Sequence, residues 1–206
     1  MAEYLSIHPD NPQVRLLQQA VQVINRGGVI VYPTDSAYAL GCHMGEKDAL
    51  EKIHKIRELR KDHHFTLICK DLKELGKYAQ VDNAAFRMIK HLIPGAFTFV
   101  LKATRDVPKM LMHPKRKTIG IRVPDNVLVQ ALLTELGEPL LSTTLKMPGE
   151  SYPITDPYDA YEALENQVDL IIDGGHCSLE PTTVIDLVDW PPTLIRQGKG
   201  DASEYF

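Results

Sequence analysis

The hydroxyl and carboxylate cluster Tyr32-Pro33-Thr34-Asp35-Ser36 directly follows a short apolar run, Val29 to Tyr32. Ligands of open α/β sheets sit at such strand ends, and two hydroxyls with a carboxylate on one turn could orient a small polar substrate. The same residues also describe a plain Pro-Thr-Asp turn whose Asp caps the next segment. Further hydroxyls follow apolar runs at Ser142-Thr143-Thr144 and Thr182-Thr183, and arginines end such runs at Arg122 and Arg196. Guanidinium forks and hydroxyls together suit a carboxylate and a polyphosphate, because Arg offers planar paired donors and Ser/Thr meet the remaining oxygens. Each is weak alone, since strand ends often carry polar residues.

Several chemistries are disfavoured by what is missing. There is no G-x-x-x-x-G-K-[ST], no G-x-G-x-x-G after a strand and no G-x-S-x-G, which argues against a P-loop enzyme, a dinucleotide enzyme and an α/β-hydrolase. Cys42-His43 and His176-Cys177 offer four zinc-competent groups. Neighbours on extended backbone point to opposite faces, so no metal site is expected from either dipeptide. The three cysteines, Cys42, Cys69 and Cys177, are odd in number and widely spaced, which predicts reduced thiols rather than a disulfide framework.

These groups need a scaffold, and 206 residues with 44% hydrophobic and 24% charged side chains suffice for a sizeable core. No run approaches the roughly 18 apolar residues of a spanning helix, and Met1 to Asn11 lacks the order of a signal peptide. A cytoplasmic protein without a membrane partner is expected. The net charge of -4 conceals an asymmetry: residues 1 to 51 sum to -3, residues 52 to 122 to +11 and residues 123 to 206 to -12. Either a basic face holds a polyanion, or the acidic third folds against the basic third.

Periodicity predicts the elements. Asn11 and Pro12 open a helix with Val14, Leu17, Val21 and Ile24 on one face, closed at Gly27-Gly28. Further helices are expected around Leu50, Ile53 and Ile56, over Ala84 to Leu92, Val127 to Leu136 and Tyr158 to Leu164. Strands are expected at Val29 to Tyr32, Phe65 to Cys69, Phe97 to Leu101, Thr118 to Val123, Leu140 to Thr143, Val168 to Ile172, Thr183 to Leu187 and Thr193 to Ile195. The alternation implies one α/β domain over 1–206. Its last two strands have no helix between them, which makes the sheet mixed parallel and antiparallel.

In order, these segments resemble the YrdC/YciO family of threonylcarbamoyl-adenylate synthases. The likeness runs from Gly27-Gly28-Val29-Ile30-Val31-Tyr32-Pro33-Thr34-Asp35 through Leu40-Gly41-Cys42, Pro94-Gly95 with Thr98, Ile121-Arg122-Val123-Pro124 and Thr182-Thr183-Val184-Ile185-Asp186, to Ile195-Arg196 with Gly198. It implies a twisted α/β sandwich around a basic cavity. It also implies the joining of threonine, bicarbonate and ATP into threonylcarbamoyl-AMP, with release of pyrophosphate, as a step in tRNA modification. ATP would enter as a substrate with Mg²⁺, and no tightly bound cofactor is implied.

By this resemblance Thr34 and Thr144 touch the threonine or the nucleotide, Arg57 the triphosphate, Arg122 a carboxylate or carbamate, and Arg196 the nucleotide. Thr34, Arg57 and Thr144 form the catalytic set, and Thr183 joins the binding set. The chain departs from the family at Arg57-Glu58-Leu59-Arg60, where Lys-x-Arg-Pro is usual, and at Thr144-Leu145-Lys146, where Ser-Ala-Asn is usual. These departures resemble the YciO branch. A lost phosphate-side cation removes electrostatic stabilisation, which leaves an alternative: a module that binds double-stranded RNA, tRNA or ribosomal RNA, with weak or vestigial turnover. Lys115, Arg116 and Lys117 are its best residues, expected to face RNA rather than to pair with the acidic last third.

Overall fold

The apolar runs become strands and the 3.6-period stretches become helices. The computed structural model describes residues 1–60 and 62–206. In chain order its strands are β1 (Glu3–Ser6), β2 (Ile30–Tyr32), β3 (Ala39–His43), β4 (Thr66–Ile68), β5 (Ala79–Gln80), β6 (Phe97–Ala103), β7 (Thr118–Arg122), β8 (Leu140–Thr144), β9 (Leu170–Asp173), β10 (Thr183–Asp186) and β11 (Thr193–Arg196). The helices are α1 (Val14–Asn25), α2 (Lys47–Arg57), α3 (Leu72–Tyr78), α4 (Asn83–Leu92), α5 (Val127–Leu136) and α6 (Pro157–Leu164). Side chains of Asp82, Asn126 and Asp156 accept backbone N–H groups at the starts of α4, α5 and α6, meeting donors that a helix start otherwise leaves open. Among the described residues no helix is long and apolar enough to cross a membrane.

One sheet runs β1-β9-β2-β3-β8-β4-β7-β6-β10-β11, with β5 paired to β6. It is mixed: β4 lies parallel to β7 and β6 to β10, whereas β3/β8, β6/β7 and the terminal β10/β11 pair are antiparallel. Four elements were not expected. β1 exposes three of its four residues and is held by parallel pairing to β9, so its own pattern carries little signal. β3 was read only as a Leu40-Gly41-Cys42 motif, and α3 and β5 are short.

The two faces of the sheet are separated by the period-2 alternation of its strands. Val29 and Val31 enter the larger core, packed with residues of α2, α3, α4 and α6, whereas Ile30 and Tyr32 enter a second core with α1 and α5. No residue of β6, β7, β10 or β11 enters that second core. On the α1/α5 face the helical cover therefore stops near β4. Beyond it a row of registered partners, Ser142, Thr66, Gly120, Val100 and Asp186, crosses five strands on the uncovered face. A Cβ on Gly120 would lie 2.8 Å from the Thr66 Oγ1, so glycine keeps this floor low.

Candidate functional site

At the boundary between covered and open sheet lies a small pocket of about 40 Å³, lined by Thr34, Ser36, Ser142, Thr143, Thr182 and Arg122 among others. The turn after β2 is tied by Thr34, whose Oγ1 donates to the Ala37 carbonyl at 2.7 Å and accepts the Ser36 N–H at 3.0 Å. Thr34 is thus both the turn hydroxyl and a pocket residue. The Tyr32 O–H donates to Ser142 Oγ at 2.6 Å, and burial pushes the phenol up, so Ser142 keeps its own hydrogen to donate.

Arg122 ends β7 and pairs with Asp35, both side chains being 8% exposed. The other Asp35 oxygen accepts the Asp125 N–H at 3.0 Å. One limb of the guanidinium therefore holds the Thr34–Ser36 turn in place. The Arg122 Nε is buried and has no hydrogen-bond partner among the described residues.

Outward from this pocket two larger cavities, about 360 and 430 Å³, share His63, Thr143, Thr144 and Arg196. Thr66, Gly120 and Val184 floor the first, with His64 and Arg116 at its wall. The second is walled by Arg57, Lys146, Tyr152 and Leu179. Arg57 is the last residue of α2, and its Nε is also buried, with no partner among the described residues. Arg196 donates Nε and Nη2 to the Thr182 carbonyl at 3.0 and 2.8 Å, and Nη2 reaches Thr182 Oγ1 at 3.2 Å. Desolvation lowers the pKa of Arg57; for Arg196, desolvation leads and the Arg122 charge adds to it. Neither outer cavity has an acidic side chain in its lining, so their field favours a polyanion.

His63 stands between the two cavities, with Nε2 3.1 Å from Thr143 Oγ1. Burial, then the Arg57 charge, brings its pKa down to about 4, so the ring is neutral near pH 7. Sequence reasoning passed over His63, because a His doublet before a strand has no distinctive spacing. The floor hydroxyl of Thr66 was missed likewise.

Of the expected residues, Thr34, Arg57, Arg122, Thr144 and Arg196 all line this connected trough. Thr183 does not. It is fully buried, its hydroxyl donating to the Gly200 carbonyl and accepting the Gly198 N–H at 2.9 Å, which pins the segment after β11. Alternation puts Thr183 on the core face with Ile185 and gives the trough its neighbour Thr182, bonded to Thr98 Oγ1 at 2.9 Å. Leu59 packs against the larger core, so that position presents no cation. Leu145 is buried and bonded through its backbone to Tyr38 and Ile154, while Lys146 reaches the second outer cavity.

The basic run divides. Lys115 and Lys117 are exposed, but Arg116 pairs with Asp186 at 2.6 Å and lines the first outer cavity. This corrects the expectation that the whole run escapes pairing with the acidic last third. The cause is a turn closed by His113, whose ring Nδ1 accepts the Lys115 and Arg116 N–H groups and whose carbonyl accepts that of Lys117. Of the zinc-competent dipeptides, Cys42 is buried in the core with His43 beside Glu138, and His176 lies beside Asp156.

Residues 22–198 match the sequence profile of the Sua5/YciO/YrdC family, described as "Telomere recombination". The chain belongs to this family. Within it, the chain is 54% identical to YciO of Escherichia coli K12 over 206 residues and the full length of both proteins. The crystal structure of E. coli YciO matches all of both chains with a TM-score of 0.97. A protein of Vibrio vulnificus named threonylcarbamoyl-AMP synthase is 30% identical over 77% of this chain and 86% of its own length. P. abyssi Sua5, solved in complex with L-threonine, shares the fold at 23% identity and a TM-score of 0.87, covering 95% of this chain and 57% of that one.

Proposed function

We propose that the trough binds L-threonine and ATP and forms a carbamoyl-adenylate. The observation that carries this is the graded lining of one connected site. A small hydroxyl pocket lined by Arg122 shares lining residues with a larger cavity, which adjoins a second, and both are walled by cationic side chains with no acid. Such a gradient fits a small amino acid inside and a nucleotide triphosphate outside. The relationship to proteins named threonylcarbamoyl-AMP synthase supports the same reading.

The threonine amine would take up bicarbonate as a carbamate with loss of water. A carbamate oxygen would then attack the α-phosphorus as pyrophosphate leaves. The chain's part is positioning and charge: Arg122 and the Thr34, Ser142 and Thr182 hydroxyls orient the amino acid, and Arg57, Lys146 and Arg196 neutralise phosphate oxygens. Mg²⁺ arrives with ATP and needs no protein cage. The test is pyrophosphate release. It should require threonine and bicarbonate together and fall sharply in Arg57→Ala with the melting temperature held; release that ignores either co-substrate contradicts the reading.

A second reading has its own observation. Arg105, Lys109 and Lys117 line a separate surface groove of about 640 Å³ with no acid in its lining. Such a surface fits the phosphates of a structured RNA such as tRNA. Each true phosphate contact adds about one unit to the slope of log affinity against log salt. Titration of structured RNA against wild type and a Lys109→Glu/Lys117→Glu variant decides it: equal slopes make the groove a solvated surface.

A further inference from the structure

The most unusual member of the trough is Arg116, because it reaches the site from the β6–β7 connection and not from a strand end or from α2. We infer that Arg116 binds the β- and γ-phosphates of the nucleotide, held ready by Asp186 and supplying from a different element the cation absent at Leu59. This rests on the proposed function and extends it to one further side chain.

Three observations converge. First, the cations of the outer trough stand on separate walls: Arg57 and Lys146 line one cavity, Arg116 the other, and Arg196 both. An extended triphosphate across the shared residues His63, Thr143 and Thr144 would otherwise meet cationic charge on the Arg57 side and at Arg196 alone. Second, Leu59 is packed into the larger core and presents nothing to phosphate. Third, Arg116 is open to a ligand approaching from the cavity. Its side chain is 43% exposed against 15% for Asp186, and its contact with that carboxylate runs through Nη2.

Asp186 does not depend on Arg116 for its own position. It sits on β10 opposite Val100, a cavity residue, and its second oxygen accepts the Val188 N–H at 2.9 Å. A carboxylate fixed in this way aims the guanidinium over the floor while the site is empty. A phosphate is doubly charged and offers more acceptor oxygens, so it competes well for the fork. His64, which lines the same cavity, stacks on His113 with ring centroids 4.6 Å apart, and burial first, then the charges of His113 and Arg116, lower its pKa.

The test compares two probes, an ATP analogue with an uncleavable α,β-methylene bridge and AMP, each titrated calorimetrically with Mg²⁺ into the full-length protein. Arg116→Gln should weaken the triphosphate analogue about tenfold, the loss of one charge-assisted contact, and leave AMP within about twofold. Arg116→Lys should recover much of the loss, and unchanged melting temperatures would show that both variants are folded. Equal loss for both probes would mean that Arg116 acts on the shared nucleoside monophosphate or on the wall and does not read the β- and γ-phosphates, which overturns the inference. Tight analogue binding by Arg116→Gln overturns it as well, while sparing the proposed function. If wild type binds neither probe, the nucleotide reading of the trough falls and takes Arg116 with it.

Discussion

The α1/α5 face of the sheet is two different surfaces. Over β1, β9, β2, β3, β8 and the Ile68 end of β4 it is covered, and Ile30, Leu140 and Leu170 share one buried cluster with Leu17, Ile24 and Leu132. Beyond Ile68 the strands β7, β6, β10 and β11 contribute nothing to that cluster, and the same side of the sheet carries Thr66, Gly120, Thr98 and Val184. The sheet is continuous and the pairing unbroken. What changes is the residue chemistry at the line where the helices stop, and the candidate site begins there. Fold and site thus use one scaffold, the covered half supplying burial and the open half supplying hydrogen-bonding groups at fixed spacing.

This contrast gives predictions of decreasing size. Arg122→Ala acts on the boundary itself. It strands the Asp35 carboxylate in a buried turn, and losing one partner of a buried ion pair costs about 3–5 kcal/mol. Both urea stability and L-threonine binding should fall. Leu132→Ala acts on the covered half alone, where a fully buried leucine trimmed to alanine costs about 2–5 kcal/mol. Calorimetry well below its melting temperature should find ligand affinity unchanged; a parallel loss would mean that the halves are coupled. Thr182→Val acts on the open half, removing a hydroxyl shared by Thr98 and Arg196. Stability should drop by only about 1 kcal/mol, while L-threonine binding weakens clearly.

The smallest effect is a pH dependence. His63 has its pKa lowered from 6.5 to about 4, so between those values the unfolded chain binds a proton that the folded chain refuses. Stability is therefore lost as pH falls through this window. His64, shifted in the same direction, adds to the slope. Melting curves from pH 7 to pH 4 should show the decline, and His63→Gln should flatten it; an equal slope in the variant would place the titration elsewhere.

Much of this architecture was legible in the residues. The Val14, Leu17, Val21 and Ile24 spacing marked α1, and the apolar runs marked most of the strands, because both periods reflect local burial. Thr34, Arg57, Arg122, Thr144 and Arg196 were legible as a set through family order, and they do meet in one trough. Thr183 was misplaced because Thr182-Thr183-Val184 offers no polar contrast from which to read the facing of alternate residues. Arg116 was misread because its partner, Asp186, is 70 residues away along the chain. The charge asymmetry had the same limit: Lys52 with Asp169 and Arg116 with Asp186 show part of the basic middle folding onto the acidic end.

The decisive measurement is mass spectrometry of the protein incubated with ATP, Mg²⁺, bicarbonate and L-threonine. A threonylcarbamoyl-adenylate should appear only when all the substrates are present and be lost in Arg122→Lys, which keeps a charge but not the planar fork. If folded wild-type protein yields no such adduct in an assay where a threonylcarbamoyl-AMP synthase does, the trough is not a carbamoyl-adenylate site.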